Sequence, residues 1–169
     1  DLAIKEYKHA ILIKKDFYDS YLNLGNILID KAEFSTAISF LEQALELRKN
    51  DYKLLNTLGI ALKEKGDLPS SIKYLKKALE LNNKSPTILN NLGTSYHQLG
   101  DLDCAKNCFK TALEINSKFP EAYSNLGLIF QEEEKYEDAI KFFQKALSLK
   151  PDFPYAINNL AITFLCKKD

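Results

Sequence analysis

The sequence predicts an all-α protein, a solenoid of antiparallel helix hairpins with one hairpin every 34 residues. Three observations carry this. The six glycines fall in two columns: Gly25, Gly59, Gly93 and Gly127 stand 34 residues apart, and so do Gly66 and Gly100. Pro86, Pro120 and Pro154 keep the same step. Apolar columns run in register with them: Leu24, Leu58, Leu92, Leu126 and Leu160; Leu41, Leu75, Phe109 and Phe143; and the Ala-Leu pairs beginning at Ala44, Ala78, Ala112 and Ala146.

Each period reads as helix A, turn, helix B, turn. Tyr123, Leu126, Gly127 and Phe130 follow the i, i+3, i+4, i+7 spacing of one helix face, and Tyr136, Ala139, Ile140 and Phe143 repeat it after a short break. Helix starts are marked by Ser85 before Pro86, a capping hydroxyl before a proline at the first helical position. Asp67 and Asp101 follow Gly66 and Gly100, where they can cap helix B while the glycine supplies the left-handed residue that ends helix A. Ala32 and Glu134 occupy that glycine's place in two periods. Those turns either hold a strained residue, at about 1–2 kcal/mol, or take another shape. Gly25, Gly59, Gly93 and Gly127 from helix A, with Ala37, Ser71, Ala105 and Ala139 from helix B, let the two backbones approach closely.

These columns resemble the tetratricopeptide repeat, a 34-residue hairpin with Leu-Gly in helix A and alanine, an aromatic and Ala-Leu in helix B. The resemblance covers the whole chain. Residues 1–15 read as a helix B without its helix A, with Ala3, Tyr7, Ala10 and Ile11 in the expected columns. Residues 18–51, 52–85, 86–119 and 120–153 are full repeats, and residues 154–166 are a helix A without its helix B. Departures are Ser71 for the usual alanine and a repeat-ending proline only at Pro151. The resemblance implies a right-handed superhelix whose helices A line a concave surface.

On that surface the helical wheel places repeat positions 2, 5, 6, 9, 12 and 13. Asn56, Asn90 and Asn158 hold position 5, beside Leu22 and Ser124; Asn23, Asn91, Asn125 and Asn159 hold position 6, with Thr57. A primary amide offers two donors and one acceptor, so a row of them can pair with the backbone of an extended peptide whatever its sequence. The row resembles the asparagine ladder in the tetratricopeptide arm of O-GlcNAc transferase. The amides can equally bond within the array, and both readings stand. Asn26, Ile60, Thr94 and Leu128 at position 9, and His97 at position 12, complete the candidate peptide-binding set. The carboxylate clamp of co-chaperone repeats is excluded, because the matching positions Leu22, Asn26, Thr57, Thr87 and Asn91 carry no basic side chain.

Other features argue against other functions. Twenty-three basic residues balance 23 acidic ones, without the basic footprint of a nucleic-acid binder. No apolar run is long enough to span a bilayer. Three cysteines without framework spacing fit a reducing compartment, so a cytoplasmic location is expected. Cys104 and Cys108 lie four apart on one helix as structural residues; no cofactor or metal is expected. His97 has no carboxylate partner evident in the sequence, and His9 falls on a solvated face. Glu132, Glu133 and Glu134 crowd a helix C-terminus, which is unfavourable apart from Lys135. No nucleophile–base pair or phosphate loop is present, so no enzymatic activity is expected. The chain lacks methionine and reads as a segment of something longer or as a processed chain. Its last helix presents Ile157, Leu160, Phe164 and Leu165, which predicts that this face meets a further repeat or another copy. The expected function is a scaffold that binds an extended segment of a partner protein. The alternatives are a substrate-presenting arm of a larger enzyme, such as a glycosyltransferase, and an end-to-end self-assembly module.

Overall fold

The computed structural model describes residues 2–14 and 17–167. Among them are ten helices and no strand: α1 (Leu2–Ile13), α2 (Tyr18–Asp30), α3 (Phe34–Leu47), α4 (Tyr52–Lys65), α5 (Leu68–Leu81), α6 (Pro86–Leu99), α7 (Leu102–Ile115), α8 (Pro120–Glu132), α9 (Tyr136–Leu149) and α10 (Pro154–Cys166). Residue 15, the end of the first expected helix, lies outside the described residues. The fold is an all-α repeat solenoid. It divides into two compact units, one running to Asn83 and one from Lys84.

The helix ends have local causes. Asp67 Oδ1 accepts from the Ser70 N–H at 3.1 Å and Asp101 Oδ1 from the Cys104 N–H at 3.0 Å, so both aspartates cap helix B as expected. The Ser85 hydroxyl oxygen accepts from the Ile88 N–H at 3.3 Å. Asp51 is a further cap, accepting from Lys53 and Leu54 N–H groups at 2.8 and 3.3 Å. Gly66 and Gly100 are left-handed, with φ of 92° and 86°. Ala32 and Glu134 are left-handed too, at φ 58° and 60°. Of the two outcomes open for those turns, the chain adopts the strained one and keeps the same turn shape.

In the first unit, α2 packs on α3 and α4 on α5, with α2 and α4 side by side. Leu24, Leu41, Leu54 and Leu58 are fully covered in a core that extends to Ile11 of α1. In the second unit, α6 packs on α7 and α8 on α9, α10 packs on α9, and α6, α8 and α10 are neighbours in turn. Phe109 and Phe143 are fully buried. Each such side chain contributes about 1.5–3 kcal/mol by leaving water.

The close approach of helices A and B is visible at the glycines. A Cβ on Gly93 would stand 2.5 Å from Phe109 Cε1, and one on Gly25 would stand 2.5 Å from Leu41 Cδ2. Ser71, the departure from the alanine column, is fully buried, and its hydroxyl donates to the Gly59 carbonyl at 2.8 Å. That bond ties α4 to α5 and removes the penalty of an unpaired buried hydroxyl.

Candidate functional site

The candidate residues lie on the helix-A face of each unit, opposite helices B. In the first unit, Asn23 and Asn26 of α2 are exposed, while Asn56 and Ile60 of α4 are half-buried. Lys63 sits on the same face and pairs with Glu64 at 2.6 Å. Thr57, which interrupts the amide row, is only 8% exposed and belongs to the wall rather than to the ligand surface.

The second unit brings more of the set together. Asn90 of α6 and Asn125 of α8 are both half-buried, and Asn125 Nδ2 donates to Asn90 Oδ1 at 2.9 Å. The bond holds the two amides against each other across adjacent helices A. Thr94 is held on α6 by donating its hydroxyl to the Asn91 carbonyl at 2.8 Å, and Leu128 is half-buried against the second-unit core. Ser124, between Leu128 and the start of α8, is fully covered and does not continue the polar row. On α10, Asn158 is exposed and Asn159 half-buried, with the Asn159 carbonyl accepting from the Thr163 hydroxyl at 2.6 Å.

His97 corrects the sequence reading. Its Nε2 lies 2.9 and 2.8 Å from the two carboxylate oxygens of Glu132, so it does have a carboxylate partner. The pair joins α6 to α8 at one end of the face, and its partner comes from the next repeat, where inspection of a single helix does not find it. The neighbouring Glu133 is also engaged. Glu133 binds Lys106 of α7 at 2.7 Å and Lys135 at 2.8 Å, and these hydrogen bonds hold its carboxyl below the usual range. Glu132 and Glu133 are therefore bonded by His97, Lys106 and Lys135 rather than by Lys135 alone.

Tyr155, not singled out in the sequence, borders the same region on α10. Burial pushes its phenol above the usual value; a hydrogen bond with Asn159 opposes this, and the charge of Glu132 adds to it. An aromatic at repeat position 2 was the signal that could have found it. Cys104 and Cys108 are half-buried on α7, away from the helix-A face, and neither is in a disulfide. Among the described residues, no helix is long and apolar enough to cross a membrane.

On α10, Ile157, Phe164 and Leu165 are 46%, 45% and 68% exposed, whereas Leu160 is half-buried and packs on the core of the second unit. Leu160 is thus mainly a core residue, held there by α9, and only its three companions present an open surface.

A stack of hairpins with amides on one helix face defines a helical-repeat protein. Tetratricopeptide repeat models match residues 18–51 and 120–153, and a TPR repeat model matches residues 59–100 and 93–133. The chain belongs to the tetratricopeptide repeat family. Solved structures agree in fold. MamA is 25% identical with a TM-score of 0.76, over 88% of this chain and 86% of that one. The Cut9–Hcn1 hetero-tetramer of the APC/C gives 24% and 0.83, over 96% of this chain and 33% of that one. YrrB, described as a TPR protein with an unusual peptide-binding site, gives 23% and 0.68, over 96% and 84%. No curated protein matches the sequence.

Proposed function

We propose that the chain is a non-catalytic protein-interaction scaffold whose helix-A face holds an extended segment of a partner protein. The observation that carries this is the Asn90–Asn125 pair. With the bond between them made at 2.9 Å, the Asn90 NH2 group and the Asn125 carbonyl take no part in it and remain as a further donor and acceptor. A peptide unit in an extended chain needs that combination. Because the amides are already held by each other, little side-chain entropy is lost on binding. Half-buried Leu128 and Thr94 beside them suit a small apolar anchor. The family and the peptide-binding description of YrrB support the same reading. The surface would serve equally in a substrate-presenting arm of a larger enzyme, because the ligand chemistry is the same.

The test is a peptide-array screen followed by fluorescence anisotropy on the best binder. Each neutral hydrogen bond is worth about 0.5–1.5 kcal/mol, so Asn90→Ala with Asn125→Ala is expected to weaken binding roughly tenfold or more. Scrambling the peptide at positions other than its apolar anchor should change little. Equal affinity for wild type and double variant would remove the amide pair from the mechanism.

A further inference from the structure

The helix-B side of the first unit carries a cavity separate from the helix-A face. It holds about 530 Å³ between α1 and α3 and is lined by Lys8, Ile11 and Leu12 of α1, Tyr21 of α2, and Phe40 and Gln43 of α3. That volume lies within the range of about 300–1,000 Å³ usual for ligand clefts. One period on, the equivalent Leu45, Glu46, Leu55, Tyr74 and Lys77 line a smaller cavity of about 270 Å³ between α3 and α5. The furrow is thus a property of the repeat. Its rim is open inside the unit too: Ser39, Glu42 and Glu46 of α3, a helix with a furrow on each flank, are all exposed.

The two furrows differ in charge. The α3 rim carries Glu42 and Glu46; the matching residues of α1 are Lys8 and Leu12, and Lys5 stands where α3 has Ser39. Lys5, Lys8 and Leu12 follow the i, i+3, i+7 spacing of one face of α1 and are exposed. The Lys8 ammonium stands 6.0 Å from the Phe40 ring centroid, and among the described residues it has no carboxylate partner. Glu6 lies about 200° around the helix from Lys8, on the other flank of α1. Gln43 is held at the mouth by donating to the Ser39 carbonyl at 3.1 Å.

The geometry points to a second binding site here, for an acidic segment of a partner protein. The segment seats one large apolar side chain on Ile11, Tyr21 and Phe40 and sets carboxylates against Lys5 and Lys8. Two ammonium groups one helical turn apart call for carboxylates carried on a chain, whereas a free fatty acid brings only one. In the next furrow Glu42 and Glu46 take those places and disfavour the same segment, despite Lys49 and Lys77.

Fluorescence anisotropy of labelled hexapeptides on the full chain tests this. One set places a single phenylalanine or leucine among aspartates and glutamates; matched sets carry the corresponding amides, or lysine. The acidic set should bind best, and raising NaCl from about 0.05 M to about 0.5 M should weaken it. Lys5→Glu with Lys8→Glu should lower its affinity roughly tenfold or more at unchanged circular dichroism. Gln43→Glu, on the opposite wall, should lower it without touching α1. Asn90→Ala with Asn125→Ala should leave it intact, which separates this site from the helix-A face. The proposal is overturned if the acidic set binds no better than the amide set, or if the lysine reversals leave its affinity unchanged. It is overturned equally if the asparagine variant abolishes binding, or if decanoate binds and no peptide does.

Discussion

Replacing Gly93 with leucine tests the packing on which the helix-A face rests. A Cβ there would stand 2.5 Å from Phe109 Cε1 and 2.9 Å from both Cδ1 and Cζ, against an ordinary carbon contact of about 3.5–4.0 Å. Phe109 is fully buried and cannot swing aside. Leucine gains up to about 1 kcal/mol in helix propensity over glycine, but overpacking costs typically about 1–3 kcal/mol and here involves three ring atoms at once. A net loss of about 2 kcal/mol is expected, which lowers Tm by roughly 4–8 °C in a domain of this size. Thermal unfolding followed by circular dichroism measures it. The control is Ala161→Gly: the same column, but on α10, where no helix B covers it, so only propensity changes, by about 1 kcal/mol. An unchanged or raised Tm for Gly93→Leu would refute the claim that helices A and B are in backbone-close contact there.

Two further outcomes follow from local geometry. Glu134→Gly should raise Tm by a few degrees, since φ of 60° strains a residue with a Cβ by about 1–2 kcal/mol and glycine relieves most of it. The carboxyl of Asp101 is held below its ordinary value of 3.8, first by the hydrogen bond from the Cys104 backbone N–H. A folded-state value lower than the unfolded one stabilises the fold above the ordinary carboxyl range and is lost as pH falls through it. The stability gap between wild type and Asp101→Ala should therefore narrow on acidification from about pH 6 to about pH 3; a gap constant with pH would contradict the bond.

The repeat was legible because it is written in residues with a local reason to recur: a glycine that leaves room for Phe109 or Leu41, and a proline opening α6, α8 and α10. The turns at Ala32 and Glu134 were legible as a choice between two outcomes, since sequence does not reveal how much strain the flanking hairpin will impose. The face was read less well. The wheel of one helix puts Thr57 and Ser124 on the open side, yet both are buried, because the neighbouring helix A covers part of what an isolated helix would expose. Asp51 was missed as a cap although it stands directly before Tyr52, the first residue of α4.

The partners on the face share one rule that column-reading hides. Asn90 meets Asn125 and His97 meets Glu132, and both pairs are 35 residues apart, one more than the period. Columns at 34 align equivalent residues along the stack; side chains on adjacent helices A meet one step off that alignment. On α6 and α8, then, an amide at position 5 finds its partner at position 6 of the next repeat, and a polar residue at position 12 finds its partner at position 13. Applied to α8 and α10, the same diagonal aligns Ser124 with Asn159, where serine replaces the amide, is buried and makes no bond to Asn159. The fixed donor–acceptor pair is thereby confined to α6 and α8 within the second unit. Ser124→Asn, with the Asn90–Asn125 pair left intact, should extend the pair by one repeat if the diagonal governs how these amides meet. Tighter binding of the array-selected peptide when it is lengthened by about two residues would be the measurable result, and a variant indifferent to peptide length would show that the diagonal alone does not set the register.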